Sequence, residues 1–434
     1  MRRWRTDRFA GWCTAAAALA VLVGAIASDF PTAGRAETTL AASSGFSRAK
    51  LERVGDYLRN EITTGKIPGA IVLIQRHGRP VYFETLGVRS IESRHPMTAD
   101  TIFRLYSMSK PITSVAAMML VEDGKLALGD PLSKYIPAFA DVRVGFEKRD
   151  DGGMAILTRE PLRRPITIED LLRHTSGLTY GFYGESAVRK LYAHADLFRG
   201  DFDNADFVDR LAKLPLAEQP GTLWDYGHST DVLGRVIEVV SGQSLFQFEK
   251  ERLLDPLGMT ETAFYVPDEA KRRLIAEPMP DDRFTSPLAG IRDPMRPRRW
   301  ESGGAGMVGT TGDYARFAQM LLNGGTFEGR RYLTPETVAL MTSDRIGPET
   351  KIARDQFYFP GADNGFGLGF AVRTAQPSGA ALPPGEYRWD GVAGTFFFID
   401  PKDDMFTICM MQTPSQRGRI QAELKALIYQ ALGN

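Results

Sequence analysis

Ser107 and Lys110 stand three residues apart in "YSMSKPITSVAAMML", Tyr106 to Leu120. In an α-helix that spacing puts two side chains on one face, with Cβ atoms about 5 to 6 Å apart. A serine hydroxyl beside a lysine amine can be a nucleophile beside its base. It can equally be a helix cap followed by an exposed lysine, and S-x-x-K is common by chance. Two features favour chemistry. Pro111 is tolerated only in a first helical turn, which sets the helix start near Ser107 and places the hydroxyl at the positive end of the dipole, where an anionic intermediate is stabilised. Ile112, Val115, Ala116, Met119 and Leu120 form a wide apolar stripe, which predicts a buried helix and a desolvated Lys110. A lysine is a base only when neutral, and lowering its pKa of about 10.4 by about 3 units takes roughly 4 kcal/mol of unfavourable environment.

Other chemistry is thin. "YGHSTD" contains Gly227-His228-Ser229, the start of a G-x-S-x-G elbow, but its fifth position is Asp231 and no core-strand run precedes it, so Ser229 reads as a helix N-cap. The histidines, His77, His95, His174, His194 and His228, are scattered, and no Cys/His cluster has metal-ligand spacing. No metal is expected. Formal charge is zero, with 53 basic and 53 acidic residues, and no basic run outside the extreme N-terminus suggests a phosphate-tracking surface, so nucleic acid is not an expected partner.

The elements that must position the Ser-Lys pair are legible in outline. Leu51, Val54, Leu58 and Ile62 recur at helical spacing, and "GAIVLIQRHGRPVYFETLGVRS" reads as a β-hairpin about His77-Gly78-Arg79-Pro80. From about Ser107 to Leu322 helices and loops predominate: the helix closed by Gly124, then "TIEDLLRHTSGL", "NADFVDRLAKL", "STDVLGRVIEVVSG" and "TTGDYARFAQMLLNGG", with Thr167 and Thr311 placed as N-caps. Val142 to Pro165 and Pro278 to Arg299, rich in Pro, Arg and Asp, read as long loops. Strand character returns at "GFGLGFAVRT", "YRWDGVAGTFFFIDP" and "MFTICMMQT", before a last helix "RIQAELKALIYQAL". The expected fold is therefore α/β in the α+β sense. An antiparallel sheet is built from the N- and C-terminal segments (about 47–106 and 326–434), with the terminal helices on one face and a mostly helical lobe (about 107–325) beside it.

The N-terminus differs from the rest. Arg2, Arg3, Arg5 and Arg8 precede an uncharged stretch from Phe9 to Ser28, which reads as an export signal within 1–36, followed by a polar linker over 37–46. Periplasmic or secreted localisation follows, with a membrane anchor the alternative if the segment is not cleaved. Cys13 lies in that segment, which leaves Cys409 alone in the mature chain and excludes a structural disulfide.

Taken in chain order, five segments resemble the serine β-lactamase and penicillin-binding-protein superfamily, and among its members most closely the class VIII carboxylesterases, which are similar to class C β-lactamases. They are S-M-S-K at Ser107 to Lys110, "LLRHTSGL" at Leu171 to Leu178, "WDYGHSTDVLGRVIEVVSG" at Trp224 to Gly242, "SGGAGMVGTTGDYARFAQMLLNGG" at Ser302 to Gly325, and "WDGVAGTFFFIDP" at Trp389 to Pro401. The resemblance implies a β-lactamase/transpeptidase-like fold and a cofactor-free serine hydrolase. Tyr226, in the place of the Y-x-N or Y-x-S motif, becomes the partner base to Lys110. Trp389-Asp390-Gly391 matches K-T-G, so the backbone N–H groups of Ser107 and Val392 become the oxyanion hole. His174 falls in a segment that is structural in that family.

Departures from the family narrow the substrate. Trp389 replaces the lysine that helps hold the carboxylate of a β-lactam or peptidoglycan stem, which resembles the W-x-G of family esterases and argues for a neutral, partly apolar acyl or alcohol group. Gly391 permits close approach of the backbone. Asp390 disfavours an anionic substrate unless it points away. His228, in place of the asparagine that engages β-lactam amides, lines the pocket, tunes Tyr226 or faces solvent. The expected substrate is a small-molecule carboxylic ester, with a β-lactam, a D-amino-acid peptide or transfer to an alcohol acceptor as alternatives.

Overall fold

The computed structural model describes residues 45–280, 293–347, 350–352, 361, 363–374 and 384–433. The expected export segment, most of the linker and 281–292 of the expected second loop lie outside them. In chain order the elements used below are α1 (Arg48–Thr63), β1 (Gly69–Arg76), β2 (Arg79–Gly87), α2 (Ser109–Glu122), β3 (Arg143–Arg149), β4 (Ala155–Pro161), α3 (Ile168–Leu172), α4 (Ala187–Ala195), α5 (Asn204–Leu211), α6 (Ser229–Ser241), α7 (Leu245–Glu249), α8 (Thr311–Leu322), β5 (Asn364–Phe366), β6 (Ala371–Arg373), β7 (Tyr387–Asp390), β8 (Phe396–Asp400), β9 (Met405–Met410) and α9 (Arg417–Ala431).

The central sheet runs β5-β6-β7-β8-β9-β1-β2 and is antiparallel throughout, so the C-terminal strands close against the N-terminal hairpin as the sequence pattern predicts. His77 and Gly78, both at positive φ (52° and 71°), form the two-residue turn between β1 and β2. Pro80, which has no N–H to give, sits on the edge strand.

Side-chain alternation explains why these strands are apolar on both faces. Val72, Ile74, Phe396, Phe398 and Cys409 point to one side, where they meet Leu51, Val54 and Leu58 of α1 and Ile420, Leu424 and Ile428 of α9. Ile71, Leu73, Phe397, Ile399 and Ile408 point to the other side and join the large core around α2 and α8. Helix α2 is buried all round from Ser109 to Leu120, so it is a core helix rather than an amphipathic one. Each fully buried Leu, Ile or Met there is worth about 1.5 to 3 kcal/mol, which is what keeps a polar side chain such as Lys110 in place inside.

Three local expectations are corrected. Val142 to Pro165 is not a loop: β3 and β4 pair from Arg143↔Pro161 to Arg149↔Ala155. Their charged side chains hide the strand pattern, and the turn is closed by the Asp150 carboxylate, which accepts from the N–H groups of Gly152 (3.0 Å) and Met154 (2.8 Å). The α8 cap is Thr310, whose side chain accepts from Asp313 N–H, and Thr311 is the first helical residue; Thr167 caps α3 as expected, its own N–H donating in return to the Asp170 carboxylate. Ser229 opens α6 rather than capping it, and its hydroxyl pairs with Ser176 at 2.8 Å.

Candidate active site

Ser107 sits in a single tight turn, Tyr106–Met108, that runs directly into α2. It is not the N-cap of that helix, a place held by Met108, and Pro111 lies in the first turn as the sequence requires. Tyr106, immediately before Ser107, has φ 46°, the left-handed region that costs a residue with a Cβ about 1 to 3 kcal/mol. Its ring is buried and the flanking chain is stitched down. Phe103 and Arg104 pair with Val308 and Gly309, Leu105 N–H donates to the Met307 carbonyl at 2.9 Å, and Met307 N–H donates to the Ser109 hydroxyl at 3.1 Å.

Lys110 follows one turn on, 1% exposed. Its Nζ lies 3.3 Å from Ser107 Oγ, 3.2 Å from the Tyr180 hydroxyl and 2.7 Å from the Gly304 carbonyl oxygen. Burial pushes its pKa down to about 7, against the opposing pull of the Asp231 and Asp390 carboxylates. The desolvation expected from the apolar helix is therefore present.

Tyr226 is buried beside this pair, with Lys110 Nζ 4.5 Å from its ring centroid. The residue before it, Asp225, is locked by Arg189 of α4 at 2.9 Å, and the indole Nε1–H of Trp389 donates to the Tyr226 hydroxyl at 3.3 Å. The structure thus brings Ser107, Lys110, Tyr226 and Trp389 together.

Trp389 and Asp390 alternate on β7. Trp389 lies opposite Phe397, on the α2 side of the sheet, and Asp390 opposite Phe396, on the α9 side, where it pairs with Arg417 at 3.5 Å. Asp390 therefore points away from Tyr226. After β7 the chain turns tightly: Gly391 N–H donates to the Thr395 carbonyl at 2.7 Å, and a Cβ on Gly391 would stand 2.3 Å from the Leu105 carbonyl oxygen. Only glycine lets this turn, which carries Val392, press against the strand leading to Ser107.

His228 is 2% exposed, which removes the solvent-facing alternative. Its Nδ1 lies 2.9 Å from Asp231 Oδ2, and its ring packs on Tyr180, Phe198 and Phe207 at centroid distances of 4.6, 5.2 and 5.3 Å. His174 is also buried, its ring 4.8 Å from that of Tyr226. Burial, reinforced by Lys110, holds it well below the usual histidine pKa, so it is neutral. Sequence reasoning missed two partners of Lys110. Tyr180 stands two residues after "HTSGL", a segment read as structural, so nothing in the sequence marked it. The Gly304 carbonyl is a backbone group and leaves no side-chain signal at all. Among the described residues no group of three or more His, Cys, Asp or Glu could hold a metal ion.

A Ser-Lys pair at the head of a core helix, set between an antiparallel sheet and a helical segment, is the architecture of the β-lactamase-fold serine hydrolases. The Beta-lactamase family model matches residues 52–430, and the chain belongs to that family. It is 36% identical over 365 residues to Protein Rv1367c of Mycobacterium tuberculosis, covering 82% of this chain and 88% of that protein. It is 30% identical over 376 residues to Esterase EstB of Burkholderia gladioli, covering 81% and 87%. Among solved structures it is similar to EstCE1, described as a hydrolase with promiscuous acyltransferase activity, with a TM-score of 0.71, 27% identity and coverage of 91% of this chain and 100% of that one.

Proposed function

We propose that this serine hydrolase is a carboxylesterase that works through an acyl-enzyme on Ser107. The observation that carries the reading is the 3.3 Å contact between Ser107 Oγ and the buried Nζ of Lys110. Ser107 attacks the ester carbonyl carbon while Lys110, with Tyr226, takes its proton. The oxyanion is held by the N–H groups of Ser107 and Val392. Collapse of the tetrahedral intermediate expels the alcohol, which receives a proton from Tyr226, and water activated by the same pair releases the acid. Trp389 in the place of a cation supports a neutral substrate, as does the esterase among the relatives, whereas Asp390, turned toward Arg417, has no part in the choice. The test is a panel of p-nitrophenyl esters and nitrocefin against the wild type and Ser107→Ala. Turnover of butyrate esters, abolished in Ser107→Ala, is expected; preferential turnover of nitrocefin makes the protein a β-lactamase instead. Transfer of the acyl group to an alcohol is a second reading, favoured by the activity described for EstCE1, and product analysis with added alcohols separates it from hydrolysis.

A further inference from the structure

Lys110 Nζ donates to a backbone oxygen as well as to side chains: the Gly304 carbonyl lies 2.7 Å away, against 3.2 and 3.3 Å for the Tyr180 and Ser107 hydroxyls. Gly304 lies in a stretch with neither helix nor strand. A carbonyl on such a loop can aim a lysine only if something holds the loop.

What holds it is Asp231, in the first turn of α6 and 2% exposed. Its Oδ1 accepts from the Ser302 hydroxyl at 2.6 Å and from Gly304 N–H at 3.1 Å, while Oδ2 faces His228 Nδ1 at 2.9 Å. Ser302 is bonded back into the loop, its hydroxyl accepting from Ala305 N–H at 3.1 Å. Every group in this chain is buried, so water does not compete for its bonds. The Gly304 carbonyl shares its peptide plane with the Ala305 N–H, so Ser302, itself held by Asp231, sets the direction of that carbonyl, and the bond from Gly304 N–H to the same carboxylate anchors the residue on its other side.

We propose that Asp231 is a positioning residue for the acyl-transfer reaction: it fixes the Gly304 carbonyl, which aims Lys110 at Ser107, and its charge supports the ammonium formed when Lys110 takes the serine proton. This rests on the reading of Lys110 as proton acceptor. Asp231 touches neither substrate nor the reacting atoms. His228 serves it in turn, which accounts for a buried histidine two residues after Tyr226.

The electrostatics agree in sign. Burial lowers the Lys110 pKa and Asp231 is the larger of the two charges that raise it, the other being Asp390. Among the described residues the other polar and ionisable groups facing Lys110 include Ser107, Tyr180, Tyr226 and the neutral His174. Asp231 itself is held below the usual aspartate value: burial would raise it, but His228, Lys110 and Ser302 together outweigh burial.

The test is the pH profile of Ser107 phosphonylation by a fluorophosphonate, which isolates the first chemical step. Asp231→Asn keeps acceptors for Ser302 and Gly304 but removes the charge, so its acid limb is expected about half a pH unit or more below that of the wild type. Ser302→Ala keeps the charge and loosens the loop, so its plateau rate is expected to fall about threefold to tenfold with the limb in place. It carries the test if Asp231→Asn does not fold. A limb that stays put in folded Asp231→Asn, or an unchanged plateau in Ser302→Ala, overturns the proposal. Ser107→Ala run alongside separates the two readings: labelling that survives there fails the nucleophile assignment, whereas unmoved profiles with Ser107→Ala inert fail only the role of Asp231.

Discussion

Trp389 donates its indole N–H to the hydroxyl of Tyr226 at 3.3 Å, with the two rings 5.3 Å apart. The residue that replaces the family's lysine is thus a partner of the proposed base as well as apolar surface. The bond fixes the direction of the phenol oxygen in a ring whose centroid lies 4.5 Å from Lys110 Nζ. Trp389→Phe keeps an aromatic wall and removes the donor. Steady-state kinetics on p-nitrophenyl butyrate should show kcat down about tenfold and KM within about twofold. A change in KM alone would make Trp389 a wall only.

The pH dependence follows from Lys110. With its pKa pushed down to about 7 by burial, the amine is protonated below that pH and unable to accept the Ser107 proton. The log of kcat/KM should rise with pH and level off above about 7, with a slope near one proton. A flat profile down to about pH 5 would exclude Lys110 as the base.

Gly391 offers a test of the oxyanion contribution. In Gly391→Ala the new Cβ would lie 2.3 Å from the Leu105 carbonyl oxygen and 2.4 Å from Thr395 Oγ1, so the turn has to back away and take Val392 N–H with it. Loss of one such donor costs on the order of a hundredfold in kcat. Circular dichroism should retain the wild-type spectrum, and full activity would place the second donor elsewhere.

Glu249 gives a stability prediction. Its carboxyl is fully buried under α2, Oε1 accepting from the Thr113 hydroxyl at 2.9 Å and Oε2 without a partner among the described residues. Burial raises its pKa well above the usual carboxylate value, so the folded protein keeps a proton that the unfolded chain releases, and stability falls as pH rises above about 4.5. Glu249→Gln removes that dependence. Its stability relative to the wild type should increase by up to about 1.4 kcal/mol per pH unit on the alkaline side, read from urea melts at several pH values. A constant difference across pH would mean that Glu249 is not held protonated.

Much of this arrangement is legible in the residues. Apolar runs flanked by turn residues mark β1, β2, β8 and β9, and Pro111 marks the start of α2, because these depend on local chemistry. The order of the segments places Tyr226 and Trp389 with Ser107 and Lys110. What was hidden depends on tertiary contact: Tyr180 and Gly304 reach Lys110 from loops 70 and 194 residues away. His228 is a typical surface residue by type, yet Asp231 and three aromatic rings bury it. The direction of Asp390 follows from strand register, which no single segment reveals, and the β3–β4 hairpin is masked by charged side chains on strands that cover little core.

The central claim is that catalysis passes through an ester on Ser107. Acid-quenching the wild type during turnover of p-nitrophenyl butyrate, followed by peptide mass spectrometry, tests it most directly. The account predicts a butyryl adduct on the peptide bearing Ser107, absent from Ser107→Ala, which should have lost turnover. An adduct on another residue, or undiminished turnover by Ser107→Ala, would contradict it.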